Sequence, residues 1–428
     1  MLYSMLRLYI VFEEQILIKR NSLLLLIKTY SGLSSAIYVL FIARIINRMG
    51  DFVHLFMTLY LTRIIGFDVK TVGLFVMITA ASGILGSVIG GKLSDHIGRK
   101  TVMVGSQFSS AAVLAVCGFL PSTMVIPVML IIANFFTGAV RPASRSMLTD
   151  LTKNEERQKA FSLLYLGTNF GVAIGPMIAG FLFLNHLPWI FWGDAITTIF
   201  AFTLVLIYVP ESNPDEKEIK ENKNSDLEKA VEGSAVRAFL SRPVLVFFSI
   251  FTVMANFIYA QMTFSLPLHL NEIFDDKGAK IFGYLMSFNA VIVLIFTALV
   301  LSFTKRVKAV YNMAFAALLF AVGFGALSVI SSIQGFLITT FIWTIGEILM
   351  VTNGSVYIAN HTPINLRGRF NAITGLVFGL GYIAGPFISG LILSSGSISR
   401  LWVFILFFSI LTAFLFFGLG KYELHKKK

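Results

Sequence analysis

Twelve stretches of about 20 mainly apolar residues follow one another along this chain of 428 residues. Hydrophobic residues make up 56% of the chain, charged residues only 13%, and the mean hydropathy is +0.81. A soluble domain cannot bury so much apolar surface, because the size of a single core saturates as a chain grows. A helix of about 20 apolar residues crosses a bilayer. The sequence therefore predicts an all-α membrane protein with twelve transmembrane helices, at roughly 36–64, 72–92, 101–120, 123–148, 160–184, 188–209, 243–266, 282–303, 309–331, 334–358, 370–394 and 399–420.

Positive charges are distributed unevenly between the links that join these stretches, and basic short links are typical of the cytoplasmic side. This bias predicts a multi-pass protein of the plasma membrane with both termini in the cytoplasm, and it accounts for the net charge of +12 without a nucleic-acid partner. The side predicted to be outside carries only Arg63, Lys70, Lys277, Lys280 and Arg400. The side predicted to be cytoplasmic carries Lys92, Arg99, Lys100, Lys153, Arg157, Lys159, Lys305, Arg306, Lys308, Arg367 and Arg369.

One long polar stretch divides the chain into two parts. It is rich in both acidic and basic residues and has no aromatic residue before Phe239, which predicts a solvated cytoplasmic linker. The segment before the first span is apolar but interrupted by charges, so it is either an interfacial cytoplasmic helix or an upstream extension of the reading frame. The predicted organisation is this N-terminal segment, a six-helix half, the linker, a second six-helix half and a basic cytoplasmic tail, at 1–35, 36–209, 210–242, 243–420 and 421–428.

The two halves share a glycine pattern at a constant offset of 210 residues. Each copy follows an arginine, Arg157 or Arg367, and Gly73 and Gly283 keep the same offset. The repeat predicts two halves related by a pseudo-two-fold axis along the membrane normal, with the substrate path between them. Glycines four residues apart share a helix face and allow close approach, so the pattern serves either tight packing or a hinge. The two copies of G-x3-G-P-x3-G are Gly171, Gly175, Pro176, Gly180 and Gly381, Gly385, Pro386, Gly390.

A short charged link, GGKLSDHIGRKTVM at 90–103, joins the second and third predicted spans. It resembles the G-x-L-x-D-x-x-G-R-K signature of the major facilitator superfamily, which lies between the second and third helices of that family. The first glycine copy is similar to the antiporter signature on the family's fifth helix, which favours export. The resemblance implies an inner gate, in which the aspartate pairs across the two halves when the gate is shut. The expected gate residues are Gly91, Asp95, Gly98, Arg99 and Lys100.

The same link can be interpreted from its chemistry alone. Gly91 and Gly98 permit close backbone approach and a sharp turn. We expect Asp95 near the start of the following helix, where the helix dipole favours a carboxylate. The alternative is that the link only anchors the inner membrane surface through its positive charges. Asp150 and Arg157 form either a second inner gate or a pair of surface charges.

Polar residues in the first span recur with helical spacing, which predicts a stripe along one helix face. Arg48 can pair with Asp51, so the stripe either neutralises itself or faces a wet cavity. The fourth span adds Asn134 and Arg141; drug antiporters of the resembling family usually carry arginine where Asn134 stands. The stripe consists of Arg44, Asn47, Arg48 and Asp51.

A lone carboxyl group, Glu347, lies close to the centre of the tenth span. An ionisable group in such a position is costly to keep charged, which makes it a candidate to bind and release protons. It resembles the tenth-helix glutamate of proton-coupled multidrug exporters. The alternative is a protonated glutamate that only bonds to a neighbour. Asp194, near the start of the sixth span and close to two tryptophans, is expected to be an outer-leaflet cap.

These features together resemble bacterial proton-coupled multidrug antiporters. The expected function is secondary active, proton-coupled export of hydrophobic or cationic drugs or similar small molecules by alternating access. The alternative is a dedicated proton-coupled carrier for one metabolite, sugar or peptide, which a narrow polar cavity with extra charge pairs would favour. We expect no enzymatic activity, cofactor, metal or nucleic-acid partner, because the sequence has no nucleophile–base pair and no metal-ligand spacing. The expected partners are a small-molecule substrate, protons and the bilayer, and the protein is expected to be a monomer.

Overall fold

The computed structural model describes residues 30–153, 155–212, 237, 239–361 and 367–426. The interior of the linker, most of the N-terminal segment and the end of the tail lie outside the described residues. Within these ranges the chain forms helices and no strands, which confirms the all-α fold class. The helices are α1 Ser35–Met49, α2 Phe52–Leu59, α3 Val69–Ile97, α4 Arg99–Phe119, α5 Val125–Asp150, α6 Arg157–Asn185, α7 Pro188–Tyr208, α8 Pro243–Tyr259, α9 Ser265–Phe274, α10 Gly278–Thr304, α11 Ala309–Gly325, α12 Ile333–His361, α13 Arg367–Ser395 and α14 Ile398–Lys426.

Ten stretches within the described ranges are long and apolar enough to cross a membrane. One of them, Pro243–Thr304, contains both α8 and α10 and therefore includes two of the predicted spans. The first predicted span is not among the ten, because α1 has 15 residues and α2 has 8, so neither reaches membrane length alone. The two helices together supply the remaining crossing.

The prediction of one continuous first helix over 36–64 is wrong at Gly50 and Asp51. A Cβ atom at Gly50 would lie 1.7 Å from the Thr197 hydroxyl oxygen of α7, so only glycine permits this close approach. Asp51 leaves the helical conformation at φ −72° and ψ 60°. The Asp194 carboxylate accepts the backbone N–H of Val53 at 3.3 Å and so satisfies a free donor at the start of α2. The polar stripe consequently does not follow one unbroken helix face.

Each half is a helical bundle with its own packing. In the N-terminal half α1 packs on α6 and α7, α3 on α5, and α4 on α5 and α7. In the C-terminal half α8 packs on α13, α10 on α12, and α11 on α12 and α14. The glycine repeat explains two of these contacts, because Cβ atoms at Gly175 and Gly381 would lie 2.5 Å from Met49 O and 2.3 Å from Val253 O. Gly171 and Gly385 make the corresponding close contacts, with Arg48 and Ala260.

Two further glycine contacts join the halves to each other, where α6 meets α10 and α3 meets α13. A Cβ atom at Gly283 would lie 2.2 Å from Pro176 O, and one at Gly73 would lie 2.5 Å from Pro386 O. Gly180 and Gly390 complete the same two contacts against the backbone at Ala279 and Val69. Every partner is related to its counterpart by the 210-residue offset, so the sequence repeat becomes a symmetric pair of interfaces. We call these interfaces the glycine contacts between the halves.

The halves meet on one side of the membrane. We call the side on which α7 ends and α8 begins the linker side, and the other the distal side. On the distal side Thr58 donates a hydrogen bond to Thr263 O at 3.1 Å, and Arg63 pairs with Asp276 at 2.9 Å. Among the described residues, no hydrogen bond or ion pair joins the halves on the linker side. The structure is therefore closed on the distal side.

Substitution of Gly283 by valine should open this closure. The added carbons would overlap Pro176 O, and overpacking of this kind costs about 1–3 kcal/mol, which lowers the population of the closed arrangement roughly 5–150-fold. Spin labels at His186 and Lys277, on the distal ends of the two halves, should report longer distances. The control is Gly418→Val, since a Cβ atom there meets nothing within 4 Å. Unchanged distances in Gly283→Val would contradict the proposed role of this contact.

Candidate functional site

A polar cavity of about 150 Å³ lies inside the N-terminal half. It is surrounded by side chains from α1 through α7, and most of its polar groups lie on α1, α2, α5 and α7. The sequence left open whether the polar stripe neutralises itself or faces a wet cavity, and the structure places the stripe along this cavity. The polar and charged lining residues are Arg44, Asn47, Arg48, Asp51, His54, Thr79, Gln107, Ser110, Asn134, Thr137, Arg141, Ser144, Asp194 and Thr198.

The break between α1 and α2 sets the geometry of the stripe. Arg48 donates to Asp51 at 2.6 Å, and both side chains remain about one-third exposed to the cavity. Asn47 donates to the Thr198 hydroxyl of α7 at 3.0 Å. Arg44 donates to the Ser144 hydroxyl of α5 at 3.1 Å. The predicted Arg48–Asp51 pair is thus formed, while Arg44 is held by a neutral group.

Asp194 belongs to this cavity, although the sequence indicated only a cap near the outer leaflet. It is 8% exposed, lines the cavity and bonds to the backbone of α2. The expectation is wrong because the tryptophans before Asp194 lie near the interface, while the carboxylate itself points across the bundle to the helix break. A carboxylate inside an apolar span is a signal for function that could have identified it.

The fourth-span residues behave differently from each other. The Asn134 amide donates to Thr79 O of α3 at 2.6 Å and packs against Gly83, so it also fastens α5 to α3. Arg141 lines the cavity and makes no hydrogen bond or ion pair with the residues that the structure describes. It lies within electrostatic range of both Arg48 and Asp51.

Glu347 lies in the C-terminal half and is half-buried on α12. Its carboxylate accepts the Asn289 amide at 2.7 Å, and the same amide reaches the Thr344 hydroxyl at 3.0 Å. The Tyr259 hydroxyl is a second neighbour of this carboxyl, and its ring contacts those of Trp343 and Tyr382. No cation in the described part of the chain pairs with Glu347. Asn289, an amide in an otherwise apolar stretch of α10, is a partner that the sequence analysis missed.

The structure does not bring Glu347 and Asp51 into one site. The cavity of the N-terminal half has no lining residue from the C-terminal half, and Glu347 belongs to a separate polar cluster. Tyr165 of α6 lies within electrostatic range of Glu347 across the boundary between the halves.

The charged link between α3 and α4 differs from expectation at three residues. Asp95 lies in the last turn of α3, not at the start of α4, because α3 continues to Ile97. Arg99 is 8% exposed and pairs with Asp150 at 2.9 Å, so it is a buried, paired cation and not a free surface charge. Gly91 has only ordinary contacts, at 3.6 Å from Pro142, whereas Gly98 adopts φ 99° and makes the sharp turn.

Asp150 and Arg157 do not pair with each other. Asp150 is engaged by Arg99, and Arg157 begins α6 as an exposed side chain without a described partner. Asp95 likewise has no hydrogen bond or ion pair within the described ranges. The proposed gate across the halves is therefore not formed in this arrangement, which is closed on the distal side.

Glu211, just beyond α7, caps the charged link. Its carboxylate accepts the N–H groups of Lys100 and Thr101 at 2.8 and 3.0 Å, at the start of α4 where free donors need acceptors. Arg99 also donates to Ser212 O at 2.6 Å. Partial burial opposes ionisation of Glu211, but hydrogen bonds from Lys100, Thr101 and Ser212 outweigh it and hold the pKa of the carboxyl below its usual value.

No group of three or more histidine, cysteine or acidic side chains within the described ranges has the arrangement of a metal site. The described contacts within the two polar clusters are hydrogen bonds and one ion pair.

Comparison with known proteins shows similarity to membrane transporters. The family model described as Major Facilitator Superfamily matches residues 40–369. The uncharacterized MFS-type transporter YqjV of Bacillus subtilis is 24% identical over 399 residues, which cover 92% of this chain and 94% of that protein. A Na(+), Li(+), K(+)/H(+) antiporter of Planococcus maritimus is 22% identical over 345 residues, covering 73% and 79%.

A solved structure shows the same fold. A POT family transporter in complex with a thioalcohol-conjugated peptide superposes with a TM-score of 0.76. The superposition covers 92% of this chain and 99% of that one at 13% identity, so it supports the arrangement of helices and no shared substrate.

Replacement of Glu211 by glutamine should destabilise the protein at neutral pH by about 0.5–1 kcal/mol, the lower range for loss of a helix cap. The folded-state pKa of Glu211 is lowered, so its stabilisation is present above the usual carboxyl pKa and is lost as the pH falls through the lowered value. Thermal unfolding of purified protein should separate the two variants at pH 7 and bring them together at acidic pH. Glu272→Gln, an exposed change on the distal side, is the control; an equal loss at all pH values would contradict the capping role.

Proposed function

The chain belongs to the Major Facilitator Superfamily and is a multi-pass membrane transporter, not an enzyme. From this premise we propose that it is a proton-coupled antiporter, which exports a small molecule across the plasma membrane by alternating access. A potential of about 100 mV contributes roughly 2.3 kcal/mol for each charge moved, so one or two protons can drive a useful concentration ratio.

Glu347 is the observation that carries this proposal. Its carboxyl is half-buried in a membrane-crossing helix, and the partners around it are the neutral groups of Asn289, Thr344 and Tyr259. A charged carboxylate is costly in such surroundings, and neutral hydrogen bonds compensate only part of the cost. Uptake of a proton removes the charge, so Glu347 can exchange protons as access changes from one side to the other. The antiporter of Planococcus maritimus supports coupling to protons in a relative.

The arrangement of the halves supports alternating access. We propose that the linker side is cytoplasmic, as the bias of basic links indicates, and that the described state is open inward. Rocking of the halves would separate the glycine contacts, open the distal side and bring the linker-side ends together. Asp95 lies at such an end and lacks a described partner here, which leaves it available for the opposite state. Asp51, which is paired with Arg48, is proposed to exchange protons in concert with Glu347.

The substrate can belong to either of two classes. Hydrophobic or cationic drugs are the expectation from the resemblance, and the lone acidic Glu347 supports it. A dedicated carrier for one polar metabolite is the second candidate, and the cavity of the N-terminal half favours it. That cavity is lined by many polar and charged side chains and contains the Arg48–Asp51 pair, which are the features expected of a selective site.

The substitution Glu347→Gln should abolish concentrative export. Glutamine keeps the shape and the contact with Asn289 but cannot exchange a proton. The assay uses inside-out vesicles with an imposed pH gradient and a molecule that the wild-type protein accumulates. In the variant this molecule should equilibrate without accumulating, and substrate-dependent proton flux should fall at least about tenfold, as for loss of an acid–base group. Glu272→Gln on the distal surface is the matched control. Accumulation at the wild-type rate in Glu347→Gln would remove this residue from the coupling.

The substitution Asp95→Asn should slow cycling and leave binding intact. The side chain lies at the linker-side end of α3, outside both polar clusters. We expect transport to fall about fivefold, because a charge interaction with a helix or partner contributes on the order of 1 kcal/mol in that state. Equilibrium binding measured on purified protein should stay within twofold. Glu155→Gln, an exposed acid on the same side, is the control. Lost binding with normal cycling would overturn this division of roles.

A further inference from the structure

The cavity of the N-terminal half contains more positive than negative groups. Three arginines, Arg44, Arg48 and Arg141, line it together with two carboxylates, Asp51 and Asp194. A fourth arginine, Arg145, lies within electrostatic range of both Arg44 and Arg141. Positive charge in a membrane-embedded cavity is costly unless an anion compensates it. The hydrogen bonds and ion pairs of the cavity show which arginines lack a compensating carboxylate.

The two carboxylates are already engaged elsewhere. Asp51 binds Arg48 at 2.6 Å, and Asp194 accepts the Val53 N–H at the start of α2. Neither forms an ion pair with Arg44 or Arg141 among the described residues. Arg44 has one hydrogen bond, to the neutral Ser144, and Arg141 has none. The Arg48 Nε–H is also buried without a hydrogen-bond partner.

These unused donors define the chemistry that the cavity recognises. A guanidinium group has five N–H donors, no acceptor and a permanent charge, and its geometry matches the oxygens of a carboxylate or a related oxyanion. Arg44 and Arg141 project from α1 and α5, on two sides of the same cavity. Hydrophobic side chains, including Met57, Leu114, Leu130 and Phe202, complete the lining and fit an apolar body.

We propose that this cavity is the binding site for the anionic group of the transported molecule, a small organic acid whose oxyanion is held between Arg44 and Arg141. The inference deepens the proposed transport function and rests on it only for the transport step, since binding can be measured separately. The cavity, at about 150 Å³, matches the size that accommodates a benzene ring. The acid group together with one ring or a short chain therefore fills it.

A cationic substrate is disfavoured at this site by the same charges. An ammonium group would face Arg44 and Arg141 directly, and the carboxylates that could attract it are committed to Arg48 and to α2. Glu347 lies in the other half and does not line this cavity. The N-terminal half thus binds the anion through Arg44 and Arg141, while proton exchange is assigned to Glu347 in concert with Asp51.

The test is equilibrium binding to the purified full chain, without any gradient. Benzoate, benzenesulfonate, neutral benzamide and cationic benzylammonium share one apolar body and differ in charge. We expect benzoate or benzenesulfonate to raise the melting temperature saturably, and benzamide and benzylammonium to leave it unchanged. Titration calorimetry then measures the dissociation constant of the acid that binds.

Variants assign the binding to the two arginines. Arg44→Gln and Arg141→Gln should each weaken binding of the acid roughly 10–100-fold, the usual loss for a hydrogen bond to a charged group. Arg141→Lys keeps the positive charge of the cavity but lacks the forked geometry of the guanidinium group. It should therefore give an intermediate loss of affinity. Arg400→Gln, which removes an exposed arginine on the distal side, should bind as the wild type does. The melting temperature of each unliganded variant reports whether it is folded.

Three outcomes would overturn the proposal: saturable binding of benzylammonium in preference to the acids, no saturable binding of either acid, or equal losses in Arg141→Gln and Arg400→Gln. If Arg141→Gln does not fold, Arg141→Lys and the comparison of benzoate with benzamide decide between the same outcomes. Failure here leaves the Glu347 assignment intact. Conversely, substrate accumulation by the Glu347→Gln variant would contradict the role of Glu347 in proton coupling and would not affect the proposed anion site.

Discussion

The close approach of the two halves at glycine is the constraint on which the rest of the structure depends. Gly73 and Gly283 each lie against a proline-containing stretch of the opposite half, so near that a Cβ atom would overlap a carbonyl oxygen. Backbone contact of this kind allows dispersion forces to act between helices that gain nothing from leaving lipid. Because the two contacts are related by the repeat, the two interfaces form together when the halves meet. Opening of the distal side by rigid-body rocking must therefore separate two matched interfaces.

A second close contact places the chemistry. The chain passes Thr197 so tightly at Gly50 that the first crossing breaks into α1 and α2, and Asp194 binds the exposed start of α2. Asp51 pairs with Arg48 beside this break, so both carboxylates of the cavity are engaged. Arg44 and Arg141 are left with unused donors in a space that also has apolar walls. Packing between α1 and α7 thereby contributes to the pairing on which the proposed anion site depends.

Much of this could be predicted because it depends on local composition or spacing. Apolar length predicts the crossings, the 210-residue offset predicts paired halves, and the helical spacing of Arg48 and Asp51 predicts their ion pair. Other features depend on atoms far apart in the chain. The role of Asp194 requires the position of a helix start 141 residues earlier, and Arg99 is buried because Asp150 reaches it from α5. Neither contact can be predicted from the residues that neighbour it in the sequence.

The sequence by itself determined that this protein lies in a lipid bilayer, that it is helical and that it has a two-fold repeat. It also determined the residue types available for charge and proton exchange. Those properties follow from hydropathy and periodicity, which act over one helix at a time. The tertiary structure alone decided which charges neutralise one another, which donors remain free and on which side the halves meet. Such pairing depends on distances of about 3 Å between helices, where the energy of an ion pair or of a steric overlap changes steeply with position.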